Sequence, residues 1–219
     1  MPLIDLTQTY RDGMFSQHLF PPVQVSRCIE IASRGLNVTC LNVVVHHGTH
    51  LDAPCHFLED GRSIAQIALE DVTGPAVGLS VQRAAGEAIT ARDLENQTQR
   101  VEERDIVFIH TGWGAHFSTN VGRYSVHPFL GADAASWLSD RKVKLVAFDV
   151  PTPDMPEPLR EKGFNWPIHH QLLGADVLIG ENLDNLERVA GLRFRAFAFP
   201  IPIEGGDGSP VRFVAEVNG

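Results

Sequence analysis

The feature of this sequence that most constrains its fold is the excess of strand-like segments over helical ones. Runs rich in β-branched and aromatic residues outnumber helix candidates by more than two to one, with glycine and proline spread between them. These runs do not alternate strictly with helices, as the strands of a doubly wound sheet would. We therefore expect a mixed, β-rich α/β fold, in one domain spanning 1–219. The predicted strands are 23–33, 38–45, 76–82, 105–110, 142–149, 176–179, 193–199 and 211–217.

Two local patterns add detail to this prediction. Apolar and polar residues alternate over 23–33, which predicts a strand with one buried face, and the turn at 34–37 pairs it with 38–45 as a hairpin. Three helices are also predicted. One follows Thr90, which has a capping-box spacing to Asp93; one runs from Pro128 to Arg141; a short third helix begins at Pro167.

Composition excludes several classes of function. Lys+Arg 18 against Asp+Glu 27 gives a net charge of −9 with no basic cluster, which argues against nucleic-acid binding. The apolar runs are much shorter than the ~20 residues of a membrane span, so no membrane partner is expected. Three cysteines are too few for a disulfide framework, which favours reduced thiols and a cytoplasmic location. Dinucleotide, P-loop and nucleophile-elbow motifs do not occur in the sequence.

A dense group of metal-binding residue types lies between positions 46 and 56, in the stretch HHGTHLDAPCH. His46, His50, Asp52 and His56 offer imidazole and carboxylate donors, which suit Zn²⁺ or Mn²⁺. His50 and Asp52 are two residues apart, so in an extended segment their side chains point to the same face. The stretch therefore predicts a metal site built on a strand and its loops.

The surrounding residues support this geometry. Gly48 allows a tight turn before the strand, and Pro54 argues against a continuous helix through the motif. His47 is expected on the face opposite His46, outside the site. A second source of ligands is His169 or His170 on the short third helix, together with Glu181 after the next strand, although such residues also occur on ordinary surfaces.

The motif HHGTHLDAPCHF resembles the HxGTHxDxPxH signature of the cyclase family, which includes bacterial kynurenine formamidases and isatin hydrolases. The resemblance implies a swivelling β/β/α domain and a metal-dependent hydrolase. Further segments similar to the family are LIDLT at 3–7, DIVFIHTGW at 105–113, VAFDVPTP at 146–153 and HHQLLGADVLIGENL at 169–183.

Carried over by position, the resemblance implies roles for individual residues. His46, His50 and Asp52 correspond to ligands of the first segment, and His169 and Glu181 to ligands of the later one. The twelve-residue interval to Glu181 favours His169 over His170. The family also implies that Asp52 and Glu181 can bridge two ions, that one or two zinc ions or a manganese ion are bound, and that the chain forms a homodimer or homotetramer. His56 corresponds to the general acid/base.

Substrate contacts are less determined, because the sequence departs from the family there. The family's formamidases have a tryptophan in the N-terminal loop where this chain has Phe15 as the nearest aromatic residue. His110 replaces an arginine before Thr-Gly-Trp, and Pro153 replaces a serine. Phe15 and Trp113 are the predicted substrate-binding residues, with the alternative that such aromatic residues belong to the core.

The predicted chemistry is hydrolysis of a C–N bond (amide, formamide or lactam) in a small, aromatic carbonyl compound. His56 suits proton transfer because the unperturbed pKa of histidine, ~6.5, lies near operating pH. The alternatives are a lactone- or ester-opening hydrolase or cyclase of the same family, a non-catalytic metal-binding protein, and a binding protein with an inactive site. The absence of paired cysteines argues against a structural zinc site.

Overall fold

The computed structural model describes residues 1–217. Its strands are β1 (Leu3–Asp5), β2 (Gln24–Ile29), β3 (Val38–Asn42), β4 (His50–Asp52), β5 (Thr73–Ser80), β6 (Ala88–Ile89), β7 (Ile106–His110), β8 (Phe129–Leu130), β9 (Leu145–Phe148), β10 (Leu178–Glu181), β11 (Arg193–Pro200) and β12 (Gly208–Glu216). Its α-helices are α1 (Ile31–Arg34), α2 (Ala91–Glu95), α3 (Val121–Tyr124), α4 (Ala132–Asp140) and α5 (Pro167–Gly174). Single 3₁₀ turns cover Pro54–His56, Ile64–Gln66, Leu69–Asp71, Trp113–His116, Glu157–Leu159 and Leu186–Arg188.

The main sheet closes on itself as a barrel. Within residues 1–217 its eight strands follow the order β1-β12-β11-β5-β7-β9-β10-β4, and β4 pairs again with the start of β12. One side of β12 pairs with β11, while β4 and β1 share its other side. The run β5-β7-β9-β10 is parallel and the remaining pairs are antiparallel. The closure removes the free edges that an open sheet would leave.

Two apolar layers hold the barrel in place. Successive side chains of a strand point to opposite faces, so Phe108 of β7 lies inside the barrel against Phe213 of β12, while Val107 faces outward. The outward face of the parallel strands is covered by α2, α4 and α5, through residues such as Leu138 and Leu172. The helices therefore lie over one part of the barrel, and the mixed α/β fold class predicted from the sequence is confirmed.

The predicted elements are largely present, with two corrections. The helix after Thr90 forms with its capping box, and α5 begins at Pro167. The helix predicted from Pro128 begins only at Ala132, because the chain first forms β8 beside β6. The predicted strand 23–33 ends at Ile29, where α1 follows.

The β2–β3 hairpin forms a separate two-stranded sheet, and the predicted apolar face of its first strand is only partly buried. Val23, just before β2, is buried and Val25 and Ile29 are half-buried, while the other residues of β2 and all of β3 are exposed. Cys28 and Cys40 form a disulfide across the hairpin, so the prediction of three reduced thiols was wrong for these two. The thiol argument for a cytoplasmic location therefore no longer holds.

None of the helices in residues 1–217 has the length and apolar character needed to cross a lipid bilayer.

The packing of aromatic rings inside the barrel predicts how a substitution there changes the free energy of unfolding. Phe213→Ala should lower the free energy of unfolding by about 3–5 kcal/mol, because it leaves a cavity beside Phe108 in the closed barrel. Phe199→Ala on the neighbouring strand is the control, since that ring is 48% exposed, and it should change the value by less than ~1 kcal/mol. Denaturant unfolding followed by tryptophan fluorescence measures both. Equal losses for the two variants would contradict this packing of the barrel.

Candidate metal centre

The histidine and carboxylate side chains meet where β4 closes the barrel against β10. The antiparallel register pairs His50 with Glu181 and Asp52 with Ile179. His50 and Asp52 are alternate residues of β4, so they share a face, as predicted. His169 reaches the same point from α5. The side chains of these residues are buried.

The distances among these side chains define a compact cluster. Nε2 of His50 lies 3.3 Å from both Oδ1 of Asp52 and Oε2 of Glu181. Nε2 of His169 lies 3.5 Å from Oδ2 of Asp52 and 3.3 Å from Oε1 of Glu181. These distances place four donor groups around one point. Several of the atoms are close to each other but do not form hydrogen bonds.

Three buried atoms of this cluster lack a hydrogen-bond partner in the part of the chain that the structure describes. They are Nε2 of His50, Oδ2 of Asp52 and Oε1 of Glu181. A buried polar atom without a partner carries a substantial free-energy cost, and these three converge. Their ligand atoms lie close enough together to hold an ion, and His and carboxylate donors fit Zn²⁺ or Mn²⁺. The residues present therefore fit a divalent metal ion.

Two histidines are oriented by partners outside the cluster. Nδ1 of His50 lies 2.9 Å from the carbonyl oxygen of Gly48, and Nδ1 of His169 lies 2.6 Å from Oδ2 of Asp154. A proton on each Nδ1 leaves the Nε2 lone pair directed into the cluster, which is the usual arrangement around metal-binding histidines. Gly48 has φ +59°, a conformation that suits glycine, so the turn before β4 can present its carbonyl.

A second group of side chains adjoins the first through Asp52. Nδ1 of His46 lies 2.8 Å from Oδ1 of Asp52, and its Nε2 lies 3.0 Å from Oδ2 of Asp207. Nδ1 of His56 lies 3.3 Å from the same Asp207 oxygen, and the rings of His46 and His56 stack at 4.0 Å. His46, Asp52 and His56 are themselves spaced to hold an ion. Asp52 thus belongs to both groups.

The charges of the cluster shift the pKa values of its members strongly. Burial alone would lower the pKa of His50, but Asp52 and Glu181 raise it to about 10. Burial would raise the pKa of Asp52, yet His50 and His169 hold it well below its usual range. The hydrogen bond from His46 lowers the pKa of Asp207 to about 2. Without an ion, protons on the histidines therefore balance the negative charge of Asp52, and a bound cation would displace the protons on their Nε2 atoms.

His56 differs from the other histidines of the cluster. Its side chain is 24% exposed, and burial lowers its pKa, against the opposing effect of Asp52. The ring is therefore neutral near pH 7 and can accept a proton.

A cavity of about 270 Å³ opens beside the cluster. The rings of Phe20, Phe57 and Trp166 line it, and a smaller cavity of about 200 Å³ adjoins it. The other lining residues of the larger cavity are Gln17, Leu19, His46, His56, Thr152, Arg160, His169 and Glu181.

The structure brings six of the predicted site residues together: His46, His50, Asp52, His56, His169 and Glu181. His170, the rival of His169, is exposed on α5. His47 lies off the cluster, as predicted, with Nδ1 accepting from the Val44 N–H.

The two predicted substrate-binding residues have different positions. Phe15 packs edge-on against Tyr124 and lines the adjoining smaller cavity. Trp113 is 5% exposed and packs in the core, where its indole N–H donates to the carbonyl oxygen of Arg83. Trp113 is thus a core residue, the alternative weighed from the sequence, and is absent from the walls of both cavities. The Asp149 carboxylate accepts from Thr111 and Gly112 and acts as a buried cap of that loop.

Sequence reasoning missed Asp154, Asp207 and Phe57. Asp154 and Asp207 lie in turns rich in proline and glycine, where an aspartate is an ordinary residue. Phe57 directly follows His56, and its ring lies 4.5 Å from that of His169. Its position directly after the metal-binding motif was the only sequence feature that could have indicated a place beside the cluster.

Comparison with known proteins agrees with this architecture. The model of the family described as "Putative cyclase" matches residues 4–155. The chain is 35% identical to a kynurenine formamidase of Bacillus mycoides (strain KBAB4) over 182 residues, which are 83% of this chain and 81% of that protein. It shares the fold of isatin hydrolase A from Ralstonia solanacearum, with TM-score 0.86 and 24% identity over 99% of this chain and 92% of that one. A solved structure described as a potential metal-dependent hydrolase with cyclase activity has TM-score 0.77 and 25% identity, covering 100% of this chain and 99% of that one.

The three atoms without partners predict a response to metal ions. Saturating Zn²⁺ should raise the unfolding temperature of chelator-treated protein by roughly 5–10 °C, because the ion binds the folded cluster in preference to the unfolded chain. Glu181→Gln should remove most of this shift, while Glu204→Gln at an exposed position should preserve it. Differential scanning calorimetry measures the shift, and a full shift in Glu181→Gln would be inconsistent with an ion held at this cluster.

Proposed function

The chain belongs to the Putative cyclase family, and from that premise we propose that it is a metal-dependent hydrolase. The reaction is cleavage of a C–N bond (amide, formamide or lactam) in a small aromatic carbonyl compound. The observation that supports this most directly is the convergence of three unpartnered buried atoms, from His50, Asp52 and Glu181, beside an aromatic-lined cavity.

We propose that His50, Asp52, His169 and Glu181 hold one ion, and that His46 and Asp52 contribute to a second position beside it. One or two zinc ions fit the mixed histidine and carboxylate donors, with manganese as the alternative. A divalent ion here supplies Lewis acidity, which activates water and polarises a carbonyl oxygen. The buried histidines and carboxylates keep their positions through Gly48, Asp154 and the β4–β10 register.

His56 is the proposed general acid/base. Its neutral ring can take a proton from the attacking water and give it to the leaving nitrogen, which leaves poorly unless protonated. Asp207, 3.3 Å from Nδ1, favours a proton on that nitrogen and stabilises the imidazolium that forms. Nε2 is then the nitrogen that exchanges the proton.

The cavity wall supports an aromatic substrate. Phe20, Phe57 and Trp166 present ring surfaces beside the histidines, and a volume of about 270 Å³ suits a small molecule. Phe15 is proposed to contact only a substrate that extends into the adjoining cavity.

The alternatives share parts of this site. A lactone- or ester-opening enzyme or a cyclase would use the same donors and differ in the leaving group. Structural zinc sites usually include cysteine ligands, whereas this site has only histidine and carboxylate donors and borders a cavity that a substrate can enter. A binding protein with an inactive site has the same geometry, so only a measurement of substrate turnover distinguishes it from the enzyme.

The proposed activity is tested with purified protein, before and after chelation, on N-formylkynurenine and on isatin. Turnover of either compound should fall to background after chelation and return on adding Zn²⁺ or Mn²⁺. Metal analysis should give one or two ions per chain. Bound metal without turnover of any amide, lactam or ester would favour the binding-protein alternative, and a protein without metal would contradict the mechanism.

His56→Ala should lower kcat roughly 100-fold or more while the metal content stays near wild type, because the side chain transfers protons and is not required as a ligand. His170→Ala, an exposed histidine on α5, is the matched control and should keep wild-type turnover. Loss of metal in His56→Ala would instead identify His56 as a ligand, which its spacing to His46 and Asp52 permits.

We also propose that the chain forms a homodimer, with a homotetramer as the alternative. The exposed hairpin supports this: Leu36, Val38 and Leu41 present apolar side chains to solvent. Leu41→Glu should shift the protein to a monomer in sedimentation equilibrium, whereas Leu69→Glu, at another exposed leucine, should not. A monomeric wild-type protein would contradict the proposal.

Two broader assignments stay proposals. We propose one domain for 1–219, because the barrel joins strands from β1 to β12. The cytoplasmic location is a prediction from the sequence alone, and the Cys28–Cys40 disulfide, which is typical of oxidising surroundings, argues against it.

A further inference from the structure

Arg160 occupies the wall between the two cavities. It follows the 3₁₀ turn Glu157–Leu159 and lines both the cavity that contains His56 and the adjoining smaller one. A residue in this position can contact a molecule bound beside the histidine and carboxylate cluster.

The guanidinium group of Arg160 is held in place but has no anionic partner. Its Nε donates to the carbonyl oxygen of Met155 at 2.7 Å, and its carbon lies 4.7 Å from the ring centre of Phe164 and 5.5 Å from that of Trp166. Within residues 1–217, its two terminal nitrogens make no hydrogen bond, and no carboxylate lies within 4 Å of them. Four N–H donors are therefore left for a ligand.

The nearby carboxylates are engaged elsewhere. Asp154 binds His169, and Glu157 pairs with His18 at 2.7 Å. Burial lowers the pKa of Arg160, against the opposing effect of Asp154, but a guanidinium remains charged at any ordinary pH. A half-buried cation without a counter-ion is costly, and an anionic ligand would offset that cost.

We propose that Arg160 binds a carboxylate group of the substrate, so that this enzyme acts on aromatic carbonyl compounds that carry a negative charge. The inference rests on the proposed hydrolase function and adds the substrate class. The aromatic part lies among Phe20, Phe57 and Trp166, the scissile carbonyl faces His56, and the carboxylate meets the guanidinium of Arg160.

The surroundings favour a carboxylate over a phosphate monoester. Arginine and carboxylate form a planar, two-bond pair, which a guanidinium stacked near Phe164 and Trp166 can present edge-on. Glu157 and Glu181 border the two cavities, and their negative charges would repel a dianion more strongly than a monoanion.

Binding of two matched probes tests the proposal without turnover. Anthranilate and 2-aminobenzamide share the ring and amine, and only the first carries a charge. Calorimetry on the metal-containing protein should show anthranilate binding about ten-fold or more tightly than the amide, because a charge-assisted pair forms. Arg160→Gln should abolish the preference and Arg160→Lys should keep part of it. Arg141→Gln, which removes an arginine stacked on Trp137, is the control and should bind as wild type.

The measurement is repeated after chelation, because a carboxylate also binds metal ions. The preference should persist in chelated wild type and be absent from chelated Arg160→Gln. A preference that survives Arg160→Gln but disappears on chelation would place the carboxylate on the metal and overturn the proposal. Equal affinities for the two probes in wild type, or no binding of either at millimolar concentration, would also overturn it.

Hydrolysis of a second pair connects binding to specificity. 2-Formamidobenzoate and formanilide share the formamide bond. Arg160→Gln should lower kcat/KM for the charged compound about ten-fold or more, through KM, and leave formanilide within about two-fold. A protein that hydrolyses neither compound yet shows the Arg160-dependent binding preference would overturn only the hydrolase function. Equal losses on both compounds would overturn the role of Arg160.

Discussion

The pairing of β4 with both β10 and β12 is the constraint on which the rest of this structure depends. It closes the barrel, and the same register sets His50 opposite Glu181. A shift of one residue would turn Asp52 away from the cluster, since side chains alternate along a strand. Closure of the fold and assembly of the site are therefore one event, and the buried carboxylates are tolerated because histidines lie within 3.5 Å of them.

The sequence predicts those site residues whose positions depend on neighbouring residues in the chain, and it does not predict those that depend on contacts between distant segments. The shared face of His50 and Asp52 needs only the two-residue period of a strand. A short helix after Pro167 places a histidine pair near the cluster, but the choice of His169 over His170 rested on the resemblance to the family and the interval to Glu181. Asp154 and Asp207 could not be found in this way, because their partners are fixed by the closure of the barrel and by the packing of α5. Asp207 is 161 residues from His46, and no local pattern encodes such a contact.

The incorrect predictions have physical reasons of the same kind. Alternation in 23–33 reports a strand but not how fully its apolar face is covered. Here Val23 is buried, Val25 and Ile29 are only half-buried, and Ile31 is exposed. A loop motif around Trp113 does not reveal that the loop folds inward. There the Asp149 carboxylate caps the Thr111 and Gly112 N–H groups and the indole reaches the core. Cysteine count alone could not show that Cys28 and Cys40 face each other across a hairpin.

The barrel seam, where β4 pairs with β10 and β12, carries most of the metal-binding side chains, and the segment before α5 forms part of the cavity wall. The donors at the seam are fixed by strand register, so substitutions there change chemistry and folding together. The segment 151–166 contributes Thr152, Arg160 and Trp166 to the cavity wall through turns and short 3₁₀ structure, away from the barrel's hydrogen bonds. The first part of this segment is buried and holds Asp154 against His169. The stretch 157–163 is mostly exposed, so changes there cost little folding energy and can adjust which molecule is bound. The net charge of the chain is −9, so its overall field repels anions. The guanidinium of Arg160 in the cavity wall is a positive charge within direct contact of a bound ligand, where screening by salt is weak.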